Sequence, residues 1–231
     1  MLQEVAEGKW IASFRRALAL NGITQGTQIA IVMESQSRPV LQQLAAIACD
    51  DLGADYSTIL LPTPAQSAPV PVKSTGTSNA IANKRHVIEA LKHVEIVVDV
   101  TVEGLLHAEE WPEIEESGTR LFVICNEHPE ILERTEPKAA HGEKVAIGIE
   151  MLRKADEMRV VSEAGTDLVV DVCNAPCGGT AGFTTARGGV AHWPGGLCLC
   201  FPGKGTVNGT IVMDVGDVNI TFKEYIRDPI T

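Results

Sequence analysis

Thr27-Gln28-Ile29-Ala30-Ile31-Val32-Met33 decides the fold. From Ile29 onward it is apolar without alternation, as a strand buried on both faces must be, and such strands belong to parallel sheets covered by helices. The flanking sequence agrees. Upstream, residues 4–20 place Val5, Ile11, Phe14 and Leu18 at helical spacing with Lys9, Arg15 and Arg16 on the other side, and Asn21-Gly22 stops the helix. Downstream, Ser37-Arg38-Pro39 opens a helix to about Leu52, with Pro39 suited to its first turn and Gly53 ending it. Ala54 to Leu61 reads as a second strand.

The alternation continues. Residues 63–77, rich in Pro, Ser and Thr, read as a loop long enough to suggest a functional one. A helix from about Asn79 to Lys92 precedes a third strand, Val94–Val100, and a short helix around Leu105–Glu116 precedes a fourth, Arg120–Cys125. Helices near His128–Arg134 and Gly142–Ala155 follow. Strands alternating with helices imply right-handed crossovers and a largely parallel sheet. After about residue 157 the pattern changes to strands at Met158–Ala164, Asp167–Cys173, Leu197–Phe201, Gly209–Val215 and Val218–Arg227, with a Gly-rich stretch at 178–189. The expectation is an α/β protein with a Rossmann-like domain at 1–157 and a mainly β region at 158–231, the start of a larger C-terminal domain.

Composition narrows the function. The 231 residues carry a net charge of -11, with 45% hydrophobic residues and 4% aromatic. A core is available, whereas no basic block or stacking surface for nucleic acid is present. No apolar run is long enough to span a membrane, and the N-terminus lacks the pattern of a signal peptide, so a cytoplasmic protein is expected. The six cysteines, at 49, 125, 173, 177, 198 and 200, match no zinc spacing.

Ligands of an open parallel sheet bind beyond the carboxyl ends of its strands. That rule selects Glu34-Ser35-Gln36-Ser37, Thr101 to His107, and Asn126-Glu127-His128. His107 is the candidate general base, although by spacing alone a histidine in the first turn of a surface helix is the more ordinary reading. Glu34 and Ser35 either line the crevice or cap the next helix, with capping the usual role. His128 is expected to cap or face solvent, and His86, His93 and His141 to be solvated. The 178–189 segment lacks a phosphate-loop ending and suits a loop folding over substrate. His192 with Asp214 or Asp217 would give two metal ligands at most, and Asp217 fits a turn.

His192-Trp193-Pro194-Gly195-Gly196 and Val212-Met213-Asp214-Val215-Gly216-Asp217, with Val97-Val98-Asp99, Leu105-Leu106-His107, Gly118-Thr119-Arg120, His128-Pro129-Glu130-Ile131-Leu132, Lys223-Glu224-Tyr225 and Ile230-Thr231, resemble the 2,5-dihydroxypyridine 5,6-dioxygenase family. These are mononuclear iron(II) ring-cleaving enzymes distantly similar to a family of metallo-aminopeptidases. The resemblance implies a catalytic role for His107, an apolar substrate wall at Leu106 and a substrate-side histidine at His192. A substrate-contacting glutamate of the family would fall near Thr180, where this chain has no carboxylate. The family's two-histidine, one-carboxylate iron site lies beyond the match to Thr231, so no metal ligand is expected among these residues. The implied activity is extradiol-type cleavage of a dihydroxylated N-heteroaromatic ring, with iron(II), O2 and a small aromatic substrate, in a homo-oligomer. A metallo-aminopeptidase, or a non-catalytic module, is the alternative.

Overall fold

A computed structural model describes residues 5–65, 77–219, 224–228 and 230. In chain order its elements are α1 (Gly8–Leu20), β1 (Gln28–Glu34), α2 (Pro39–Leu52), β2 (Asp55–Leu61), α3 (Arg85–Leu91), β3 (Ile96–Asp99), α4 (Trp111–Ser117), β4 (Arg120–Val123), α5 (Pro129–Arg134), α6 (Ala139–Lys154), β5 (Glu157–Val161), β6 (Asp167–Asp171), β7 (Cys177–Thr180), β8 (Val190–His192), β9 (Leu197–Cys200), β10 (Val207–Thr210), β11 (Val218–Asn219) and β12 (Glu224–Tyr225). They form two compact units.

The first unit comprises residues 5–65, 77–142 and 180–196. Its five-stranded sheet has the order β2-β1-β3-β4-β8, and every pairing is parallel. Ile31 lies level with Thr58 on one side and Val98 on the other, Val98 with Phe122, and Phe122 with Ala191. The alternating sides of these strands feed two separate cores. Ile29, Ile31, Ile96, Val98 and Phe122 pack with α1 and α2 through Phe14, Leu18, Leu41 and Leu44. Ala30, Val32, Val97, Leu121 and Val123 pack with α3 and α4 through Ile88, Leu91, Trp111 and Ile114. Burial on both faces is why these strands carry no polar alternation.

The ends of α2 follow from its sequence. Pro39 occupies its first turn, and Gly53 closes it in the left-handed region at φ 68°. The helix expected at 79–92 is confined to α3, with turns before it, and the helix expected from Leu105 starts only at Trp111. In the second case a hydrogen-bonded turn occupies residues 101–110 instead. The fifth strand, β8, falls inside the region expected to be separate, and residues 180–196 join the first unit because β8 pairs with β4.

The second unit includes residues 143–179, 197–219, 224–228 and 230. It holds an antiparallel sheet in the order β10-β6-β5, the two-stranded sheets β7-β9 and β11-β12, and most of α6. The strand expected at 209–215 is shorter and earlier: β10 ends at Thr210, after which Met213 bridges Ile230. Most of the 63–77 loop and part of the 218–227 strand lie outside the described residues. No helix among the described residues is long and apolar enough to cross a membrane.

Candidate functional site

The five parallel strands of the first unit end on the same side of their sheet, and the ends of β1, β3 and β4 are tied down by buried polar groups. At the end of β1 the Glu34 carboxylate is buried and accepts a hydrogen bond of 2.5 Å from Ser78 Oγ. Ser78 Oγ in turn accepts from the Ala80 amide, and the Glu34 amide donates to Ser37 Oγ. Glu34 therefore does not cap α2, which has no side-chain cap, and Ser35 bonds Thr63 instead. Beyond β4, Asn126 accepts from the Arg38 amide at 2.6 Å and receives Arg38 Nε on its carbonyl.

The end of β3 carries the densest cluster. Asp99 is fully buried. Its Oδ1 accepts from the Thr101 amide at 3.0 Å and from Thr101 Oγ1 at 2.6 Å, and its Oδ2 accepts from the Leu105 amide at 2.6 Å. Thr101 Oγ1 accepts from the Gly104 amide, and the Gly104 carbonyl accepts from the Ser78 amide. Gly104 sits at φ 88°, a conformation that favours glycine. Burial pushes the Asp99 carboxyl up from its ordinary range, the three donors from Thr101 and Leu105 oppose that shift, and the nearby Glu34 charge adds to it.

This turn carries the candidate base. Leu105 is buried, Leu106 half-buried and His107 exposed, so His107 stands at the free end of an anchored loop. His192 ends β8 and is half-buried. Its Nδ1 lies 2.9 Å from the Pro194 carbonyl. A carbonyl only accepts, so the proton belongs on Nδ1, and Nε2 of the neutral ring is an acceptor. Thr180 Oγ1 accepts from the Gly182 amide at 3.2 Å and from the His192 amide at 3.4 Å. The fold thus joins Thr180 to His192, while Leu106 and His107 come from the loop after β3, with β4 lying between the two strands.

The remaining histidines have ordinary places. His128 Nδ1 caps α5 by accepting from the Glu130 amide, His141 accepts from Lys138, and His86 and His93 are exposed. Asp217 closes a turn by accepting from the Asp214 amide. Among the described residues no three His, Cys, Asp or Glu side chains form a group able to hold a metal ion. The residues at this end of the sheet therefore do not fit an iron site.

At the opposite end of the sheet lies a hollow of about 560 Å³ lined by Lys92, Glu95, Arg120 and Arg187. Arg120 donates to the carbonyls of Asn21 and Thr184, and Arg187 donates to that of Ser117. These cations hold helix ends and the 184–187 segment.

The comparisons with known proteins agree with this architecture. A family model described as 2,5-dihydroxypyridine 5,6-dioxygenase matches residues 9–231. A protein of that description from Pseudomonas putida is 28% identical over 98% of this chain and 65% of its own length. The solved structure of the 2,5-dihydroxypyridine dioxygenase from Pseudomonas putida matches with a TM-score of 0.84 at 27% identity, again over 98% of this chain and 65% of the other. This chain thus spans about two thirds of the length of those relatives. With a match along nearly all of its residues, it belongs to the 2,5-dihydroxypyridine 5,6-dioxygenase family.

Proposed function

We propose that this chain supplies the substrate- and proton-handling side of a dioxygenase that opens a dihydroxylated N-heteroaromatic ring such as 2,5-dihydroxypyridine, with O2 as co-substrate and iron(II) as the metal. The observation that carries the reading is family membership over residues 9–231, joined to an exposed histidine on an anchored loop at the ligand-binding end of the sheet. His107 takes a ring hydroxyl proton and returns it later in the cycle. Leu106 offers an apolar wall, and His192 Nε2 accepts a hydrogen bond from the substrate. By the resemblance a substrate-contacting glutamate would fall near Thr180, whose hydroxyl oxygen already receives two amides. Thr180 therefore serves ring substituents other than those that need a carboxylate partner. The described residues do not fit iron.

The same reading makes the protein a cytoplasmic homo-oligomer. None of the six cysteines forms a disulfide, as in a reducing compartment. Exposed apolar side chains such as Phe201, Ile211 and Val215 supply surface for association.

The test is O2 uptake with 2,5-dihydroxypyridine by the full-length protein reconstituted with iron(II). Uptake is expected, with kcat lowered by about 10²–10⁴-fold in His107→Ala. Absence of uptake with every dihydroxypyridine and dihydroxybenzene tried would refute the proposal.

A further inference from the structure

We propose that Asp99 is a positioning residue for His107, acting through the 101–105 turn and assisted from the far side by Glu34 and Ser78; this rests on the catalytic reading of His107 given above. The turn has no helix or strand to hold it. Its conformation is set by the two oxygens of one carboxylate, which receive Thr101 at one end and Leu105 at the other. A second chain of bonds runs from Glu34 through the Ser78 hydroxyl, and from the Ser78 amide to the Gly104 carbonyl. The turn is thus fixed to the ends of two neighbouring strands, β1 and β3. Every side chain in the relay, Glu34, Ser78, Asp99 and Thr101, is buried. His107 follows the last anchored amide by two residues and is itself exposed.

The direction of the anchoring is what separates positioning from mere stability. Glu34 and Asp99 spend their oxygens on this one turn and on Ser78, not on neighbouring strands or on a cation. Converting Asp99 to Asn exchanges one acceptor oxygen for an NH2 group. Either Thr101 or Leu105 then loses its acceptor, and a donor faces a donor. The β3 core, made by Ile96, Val97 and Val98, is untouched.

The experiment compares Asp99→Asn, Thr101→Val and His107→Ala in the full-length iron-loaded protein, reading steady-state kinetics and, separately, backbone hydrogen exchange across 101–107 in the metal-free protein. Thr101→Val removes one donor to Asp99 and one acceptor for Gly104 without placing a new polar group, so it carries the test if Asp99→Asn does not fold. Positioning predicts at least tenfold faster exchange at Leu105. It also predicts a kcat loss of about 10–100-fold with KM held within threefold, as displacement of an oriented group costs. Asp99→Asn or Thr101→Val added to His107→Ala should then cost nothing further. Unchanged exchange, or faster exchange with wild-type kcat, overturns the proposal while leaving the catalytic reading intact. If His107→Ala itself keeps wild-type kcat, the catalytic reading fails and the positioning role fails with it.

Discussion

The two units both contain β-sheets but are stabilised by different means. In the first, β3 and β4 are buried at every residue, and two apolar cores sandwich the sheet. In the second, β5 is exposed at every residue, and β6 buries only Val170. Its strands hold through the antiparallel ladder and the exposed Arg159–Asp167 pair, with Val170 and Val172 among its few buried apolar side chains. A rigid, doubly covered sheet can present loops at its carboxyl ends with fixed geometry, and the candidate site sits there. The second unit leaves Val161, Phe201, Ile211 and Val215 exposed.

The largest test of this contrast is Trp193→Ala against Val160→Ala. Trp193 is fully buried, with ring centroids 5.1 Å from Phe14 and 6.0 Å from Phe122, and its Nε1 donates to the carbonyls of Leu132 and Thr135. Its removal leaves a cavity and takes one donor from each of two carbonyls, an expected loss of about 3–5 kcal/mol in denaturant unfolding. Val160 is 41% exposed on β5, and its truncation should cost within about 0.5 kcal/mol. Equal losses would mean that the second unit has a core of its own. Because Trp193 follows His192, the first variant should also weaken substrate binding.

That same Trp193 shows what the sequence could and could not reveal. The strands β1, β3 and β4 were legible because continuous apolar runs have few other homes. β8 was not: Val190-Ala191-His192 is short, preceded by glycines, and becomes a sheet strand only because β4 offers an unpaired edge far along the chain. The topology rule applied to the sequence selects His107, on the loop after β3, whereas His192 entered as a substrate-side residue through the family resemblance and lies at the end of the unforeseen strand β8. The link between Thr180 and His192 is a long-range consequence of β8 that no local spacing announces. Asp99 lies within the expected third strand, Val94–Val100, and its sequence context assigns it no role there. The signal was present in Asp99-x-Thr101 followed by Gly104, a turn in which a side chain replaces backbone acceptors. Its competing helical pattern at 105–116 hid it. Ser78 carried no signal, since its partner Glu34 is distant in sequence.

Thiol chemistry sharpens the comparison next. Cys49 and Cys125 are buried in the two cores, and burial pushes the Cys49 thiol up to about 12. Cys173 is exposed, while Cys177, Cys198 and Cys200 are half-buried. The hydrogen bond to Asp156, followed by partial desolvation, also raises Cys173, so its reaction is slow for an exposed thiol but still open to reagent. At pH 8 an aromatic disulfide reagent followed by peptide mapping should modify the four thiols of the second unit first. Cys49 and Cys125 should lag by a factor on the order of 10³ or more, because they wait for opening of the core. Early labelling of Cys49 would show that the first unit is looser than its packing implies.

The smallest effect expected concerns exposed charge, where the two units should behave alike. Arg85 and Lys92 hold the Glu113 carboxyl down to about 2 through hydrogen bonds, and in the second unit Arg159 lowers Asp167 in the same way. A carboxyl lowered on folding stabilises the protein above its unfolded value, here 4.5 for Glu113, and that contribution fades as pH falls toward 2. Glu113→Gln should therefore lower the thermal midpoint slightly at pH 7, by less at pH 3, and hardly at all near pH 2, flattening the acid limb of the first unit. Asp167→Asn should do the same for the second. Both pairs are exposed, so 1 M salt, with a screening length of about 3 Å, should erase most of the difference between variant and parent. If instead salt and pH act on only one unit, the contrast extends from the cores to the surface, and the charged network around Glu113 does more than decorate α3 and α4.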